Sequence, residues 1–197
     1  MKRGTKRQPN NKGQIRIISG QWRGRKLPVL NAEGLRPTTD RTKETLFNWL
    51  MTDVRDAVCL DLFAGSGGLG FEALSRYASF VTFVEKDKHN ASQLSENMKT
   101  LGVDPSKAEV VVTDALNATS KLSRQYDLVF LDPPFQKGLL PDAINALETQ
   151  NLLADSALVY IECEVENALY TVPENWECIK HSASQQVDYR LYRINPK

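Results

Sequence analysis

Val58-Cys59-Leu60-Asp61-Leu62-Phe63-Ala64-Gly65-Ser66-Gly67-Gly68-Leu69-Gly70 decides how this chain folds. An apolar run breaks into glycines and resumes as Phe71-Glu72-Ala73-Leu74, the pattern of a strand, a tight turn and a helix. Glycine admits positive φ and lets backbone approach a ligand with no Cβ in the way. The helix after such a turn points unpaired N–H groups into it. The next apolar run, Phe80-Val81-Thr82-Phe83-Val84, closes on Glu85, and that spacing suits a carboxylate accepting from both hydroxyls of a ribose. The stretch therefore reads as a nucleoside-binding βαβ unit, and Gly65-x-Gly67-x-x-Gly70 alone would also fit a dinucleotide.

Asp61 narrows the choice. A carboxylate at the mouth of the turn repels a pyrophosphate at close range. It suits a ligand bearing an ammonium and a sulfonium, which describes S-adenosylmethionine. A turn that only packs a helix on a strand would need neither Asp61 nor Glu85.

Outward from this unit, strands and helices alternate. Helices are expected from the glycine turn to about Tyr77, over Lys88–Leu101 with Gly102 as its stop, over Leu116–Leu122 and over Leu139–Glu148. Strands are expected at Glu109–Asp114, Tyr126–Leu131 and Ala157–Glu162. Such alternation implies a doubly wound parallel sheet with ligands at the C-terminal strand ends, where Asp61, Glu85 and Asp114 fall. The tail departs from it. Trp176–His181 and Val187–Ile194 have no room for a helix between them and should form an antiparallel hairpin at a sheet edge.

Before the core, Ile15–Ile18 and Arg25–Val29 flank Ser19-Gly20-Gln21-Trp22-Arg23-Gly24, a β-hairpin pattern with Trp22 and Arg23 at its tip. Trp22 can either stack on a base or fold back on the body. A helix is expected over Arg41–Met51, capped by Asp40 or Thr39, with Leu46, Phe47 and Leu50 on its packing face. Residues 1–12 are polar, lack periodicity and read as disordered. The chain divides into a basic extension, 1–52, and a core domain, 53–197.

Charge is distributed unevenly. The net value is +1, yet Met1–Ala32 holds nine Lys/Arg and no acid, while Leu46–Lys197 holds 13 basic against 21 acidic residues. A basic arm on an acidic body points to a polyanionic partner. The candidate nucleic-acid contacts are Arg16, Trp22, Arg23, Arg25, Lys26, Arg36, Arg41 and Lys43. Composition is ordinary for a globular protein, 41% hydrophobic and 25% charged. Cys59, Cys163 and Cys178 form no CxxC pair and no zinc spacing, so no metal is expected, the cysteines read as packing residues, and the cytoplasm is the expected compartment. No apolar run is long enough to span a bilayer, which excludes a membrane partner of that kind.

Asp132-Pro133-Pro134-Phe135 follows the fourth core strand. Two prolines stiffen the turn and leave its carbonyls to accept from a ligand. Asp132 and the Pro133 carbonyl suit the two N–H groups of an exocyclic amine, and Phe135 suits the face of its ring. Holding both hydrogens turns the amine lone pair towards an electrophilic methyl group, and in-line positioning supplies much of the rate.

These residues also carry a resemblance. Asp61-x-Phe63-Ala64-Gly65-Ser66-Gly67 with Asp132-Pro133-Pro134-Phe135 resembles class I S-adenosylmethionine-dependent methyltransferases acting on exocyclic amines of bases. With Arg36-Pro37-Thr38-Thr39-Asp40-Arg41-x-Lys43-Glu44-x-Leu46-Phe47-Asn48, the chain from about Ile15 to Ile194 resembles the RsmD-type family of 16S ribosomal RNA guanine-N2 methyltransferases. The resemblance implies a Rossmann-like α/β fold whose seven-stranded, mostly parallel sheet ends in an antiparallel hairpin. It implies cofactor contacts at Asp61, Phe63, Ala64, Gly65, Ser66 and Gly67, at Glu85 and Lys86, and at Asp114 and Ala115. Asp132, Pro133, Pro134 and Phe135 would then meet the target amine. The implied partner is 16S rRNA, with the assembled small ribosomal subunit favoured over free rRNA, and the protein itself is expected to be a monomer. A DNA adenine-N6 methyltransferase shares the Asp-Pro-Pro-aromatic turn, but about 50 residues before the core leave little room for a target-recognition domain. An NAD-dependent oxidoreductase needs an acid/base, and neither His89 nor His181 sits in a recognisable motif. A non-catalytic ribosome-binding module would need neither intact turn, and cofactor-binding calorimetry separates it from the enzyme.

Overall fold

The structure is a computed structural model, and the residues described are 13–30, 39–135, 137–168 and 170–196. Two short strands, β1 (Gly13–Arg16) and β2 (Lys26–Val29), pair antiparallel ahead of helix α1 (Asp40–Trp49). The core follows as β3 (Val58–Asp61), α2 (Gly68–Ser75), β4 (Phe80–Glu85), α3 (Lys88–Leu101), β5 (Ala108–Val112), α4 (Ala115–Thr119), β6 (Tyr126–Leu131), α5 (Leu140–Thr149), β7 (Leu153–Glu164), β8 (Trp176–Ala183) and β9 (Val187–Ile194). Seven of these strands form one sheet in the order β5-β4-β3-β6-β7-β9-β8. The first five run parallel, and β9 enters antiparallel between β7 and β8. This is the Rossmann-like, mostly parallel α/β sheet expected from the sequence, with its antiparallel hairpin at one edge.

Side-chain alternation divides the core into a layer on each face of the sheet. One layer joins Phe71, Phe83, Phe130, Tyr160 and Leu191 to Leu46, Phe47 and Leu50 of α1 and to Ile15, Ile17, Leu27 and Val29 of the hairpin. The other packs Leu60, Val129 and Ile161 against α4 and α5. The extension thus shares the core of the sheet domain. At β4, Phe80 through Glu85 are all buried, as expected of a strand covered by helices on both faces.

Element ends differ from the sequence reading for local reasons. β1 ends at Arg16, backbone bonds between Ile17 and the Gly24–Arg25 segment carry the hairpin one residue further, and the Ile18 and Ser19 N–H groups then donate to Glu72 at 2.7 and 3.0 Å. β5 ends at Val112, and Asp114 becomes the N-cap of α4. β7 begins at Leu153 rather than Ala157: Leu153 pairs with Tyr126, and the register shift before Leu158 contains Ser156 at φ 61°. α1 is capped by Thr39, whose hydroxyl accepts from the Thr42 N–H.

Glu72 fastens the extension. It is fully buried on α2, and its carboxylate also accepts from Arg76 Nε at 2.7 Å. Beside it, Ser75 O accepts the Gln21 N–H, and Ser75 Oγ donates to Ser19 O and accepts the Trp22 N–H. Gly20 lies so close that a Cβ would stand 1.9 Å from Ser75 O, at φ 81°. Glu72→Ala should cost about 3 kcal/mol or more, because it leaves two N–H groups and a guanidinium without their acceptor. Urea unfolding measures the loss. Amide exchange at Ile18 and Ser19 should accelerate more than exchange in β4, and equal protection in the variant would contradict the anchoring role.

Candidate functional site

The glycine turn is held by its neighbours on both sides. Leu62 N–H donates to Phe130 O, Ala64 N–H to Val84 O at 2.9 Å, and Gly67 N–H to Ala64 O. Gly67 caps α2 in the left-handed region at φ 78°, against the Phe71 ring. A Cβ on Gly70 would stand 2.3 Å from the Phe83 ring, so only glycine lets α2 lie this close to β4.

Asp61 completes the turn in an unexpected way. Its side chain is buried, and Oδ2 accepts the Gly70 N–H at 3.0 Å. A protein carboxylate therefore occupies the first turn of α2, where a dinucleotide's pyrophosphate would have to sit. Burial pushes the Asp61 carboxyl up to about 7. The Gly70 N–H opposes that shift, and the nearby Glu85 carboxylate adds to it. Glu85 ends β4 largely buried, with Oε1 accepting the Asp87 N–H at 2.7 Å. Asp114 is exposed, and hydrogen bonds from the Asn117 backbone and amide hold its carboxyl below the usual range. Burial raises the Cys59 and Cys163 thiols, which suits packing residues.

One open cleft of about 1610 Å³ runs along the C-terminal strand ends. It brings together Asp61, Phe63, Ala64, Gly65, Ser66, Glu85, Lys86, Asp114 and Ala115 with Asp132, Pro133, Pro134 and Phe135. Gly67 lies behind the turn rather than on the cleft wall. Pro133 is buried, Pro134 exposed, and Asp132 and Phe135 are half-buried. Gln14 and Leu30 from the hairpin, with Thr39 and Arg41 from the start of α1, form one wall.

The candidate nucleic-acid contacts separate. Arg16, Arg23, Lys26 and Arg41 are exposed, and Arg25 is exposed with its guanidinium donating to Thr100 O at 3.1 Å. Lys43 is not available to a partner: it is 2% exposed, donates to Arg16 O at 2.6 Å and lies 3.5 Å from Asp40. Trp22 takes the second of its two readings, half-buried against the core layer that contains α1 and α2. Arg36 and residues 1–12 lie outside the described residues.

The opposite wall went unread in the sequence. Glu162, Glu164, Ser182 and Tyr189 line the cleft from β7, β8 and β9. Glu162 carried the same signal as Asp61 and Glu85, an acid closing an apolar strand. Tyr189 carried none, because its position depends on β9 entering between β7 and β8. Among the described residues no group of three or more His, Cys, Asp or Glu could hold a metal ion, and no helix is long and apolar enough to cross a membrane.

The family model described as conserved hypothetical protein 95 matches residues 15–193. The chain belongs to that family. It is 53% identical to ribosomal RNA small subunit methyltransferase D of Escherichia coli, over 95% of this chain and 94% of the relative. It is 54% identical to the protein of the same name in Haemophilus influenzae, over 94% of this chain and 96% of the relative. The solved structure of Escherichia coli yhhF superposes with a TM-score of 0.87 at 51% identity, covering 94% of this chain and all of that one.

Asp61 supplies a pH test. Its folded carboxyl ionises near 7 and its unfolded one near 3.8, so the folded state binds the proton more tightly. Stability from this group falls as pH rises between those values, and the cost is complete above 7. Asp61→Asn has no proton to lose. It should raise stability of the ligand-free protein at pH 8 by on the order of 2–4 kcal/mol, and leave it nearly unchanged at pH 4. Chemical unfolding at the two pH values checks this, and equal effects at both would refute the burial of an ionisable group here.

Proposed function

We propose that this protein transfers a methyl group from S-adenosylmethionine to the exocyclic N2 amine of a guanine in small-subunit ribosomal RNA. The observation that carries the proposal is the single cleft joining the Asp61-capped glycine turn to the Asp132–Phe135 turn. The similarity to two ribosomal RNA small subunit methyltransferases supports the RNA substrate.

The residues fit the cofactor. Asp61 favours a ligand with an ammonium over one with a pyrophosphate, Glu85 stands where a ribose would present its hydroxyls, and the glycine turn leaves room for close backbone approach. Bound there, S-adenosylmethionine supplies an electrophilic methyl group. The chain's own part is positioning. Asp132 and the Pro133 carbonyl hold the two amine hydrogens, the proline pair keeps those acceptors fixed, and Phe135 packs on the ring. A guanine N2 lone pair is delocalised into the ring, and fixing both hydrogens directs what remains of it along the line of attack. Asp132 can also accept the proton that the methylated amine releases. Of the candidate contacts, Arg16, Arg23, Lys26 and Arg41 are exposed and available to phosphates, in RNA within the assembled small subunit.

Small subunits from a strain lacking the gene, with the purified protein and cofactor, test the proposal by nucleoside mass spectrometry. N2-methylguanosine should appear with the wild-type protein, and appearance of N6-methyladenosine instead would overturn the assignment. Asp132→Ala should cut turnover about 100-fold or more while leaving cofactor affinity nearly intact. Glu85→Ala should instead weaken cofactor binding by roughly 1–3 kcal/mol in calorimetry, and unchanged affinity would remove Glu85 from the site.

A further inference from the structure

Glu162 is a second carboxylate on the target side of the cleft, beside the Asp132 turn. β6 and β7 run parallel with Leu131 opposite Ile161, so the next residues along each strand are Asp132 and Glu162. Adjacent strands stand about 4.8 Å apart, close enough for two acceptors to converge on neighbouring N–H groups of one ring. Glu162 is 6% exposed yet lines the cleft, and its Oε2 accepts from the Tyr160 hydroxyl at 2.8 Å. Tyr160 is itself fully buried, and that bond fixes the position of the carboxylate from the core side. Tyr189 pairs with Glu162 across β9, lines the same wall, and is backed by the Trp49 ring at 5.8 Å.

We propose that Glu162, held by Tyr160, selects guanine by accepting the ring N1–H while Asp132 and Pro133 hold the adjacent N2 amine. This rests on the reading of the Asp132 turn as the amine site. Guanine presents N1–H beside its amine, so three donors in a row meet acceptors only. Adenine presents a bare N1 beside its amine, which would set two acceptors against each other at a carboxylate that is itself largely buried. A site built to accept a hydrogen bond rejects an analogue without the donor far more strongly than an apolar pocket rejects a change of size. The Tyr189 ring, standing next to Glu162, gives the base a flat wall that no acceptor can provide.

The test replaces the acceptor guanine, once nucleoside mapping has located it, by 2-aminopurine in reconstituted small subunits. This base keeps the C2 amine and lacks N1–H. The wild-type protein should prefer guanine by at least about 100-fold in kcat/KM. Glu162→Gln keeps an acceptor for Tyr160 and turns an amide N–H₂ towards the base. It should lower kcat/KM for guanine at least tenfold and bring the preference within about tenfold, with cofactor affinity and melting temperature unchanged. Tyr160→Phe, which keeps the carboxylate and removes its support, should reduce the preference several-fold. A wild-type protein indifferent to 2-aminopurine, or a preference preserved in both variants, overturns the role of Glu162. Failure of the wild-type protein to methylate guanine at all would instead overturn the underlying reading of the amine site.

Discussion

The hydrogen bond from the Gly70 N–H to the Asp61 carboxylate closes the junction on which the cleft depends. It ties the end of the central strand β3 to the first turn of α2, and the glycines between them can be tight because that bond spans them. The turn is also pinned to β4 through Ala64 and to β6 through Leu62, so both neighbouring strands take their position from it. A buried carboxylate is a costly device. Here it fills the helix N-terminus from within the protein, which changes what can bind: the turn keeps the backbone geometry of a nucleotide cradle but no longer offers its helix end to a phosphate.

A second buried carboxylate, Glu72 on α2, does related work towards the hairpin. It gathers two backbone donors from the hairpin and one guanidinium, and Gly20 allows the hairpin to press against Ser75. The extension is therefore a wall of the cleft held at fixed distance from the glycine turn, and its exposed arginines and lysine have defined positions relative to the strand ends. Lys43 contributes to this order from below, with its ammonium on the Arg16 carbonyl.

The architecture was legible in the sequence where one residue type has one physical use. Alternating apolar runs located β4, β6, α3 and the terminal hairpin, and Gly102 stopped α3 in the left-handed region as expected. The Asp61, Glu85 and Asp132 segments were legible because acids and prolines at strand ends have few structural uses. Illegible were the charged residues whose partners lie far along the chain. Glu72 and Lys43 look like solvent-facing helix positions, and only their long-range acceptors and donors, 54 and 27 residues away, show that they are interior. Trp22 remained divided between two readings because a hairpin tip can face either way until its docking surface is known. Tyr189 became part of the cleft through strand order, which no local pattern encodes.

That strand order has a consequence for biosynthesis. β9 is made last among the described strands, yet it inserts between β7 and the earlier-made β8. Until Val187 and its successors are available, β7 carries an unpaired edge beside the buried run Leu158–Ile161, the kind of edge that recruits other chains. A nascent or truncated polypeptide that stops before Val187 thus lacks both the Tyr189 side of the cleft and the strand that covers β7. Pairing of β9 closes that edge and brings Tyr189 to the cleft in the same step.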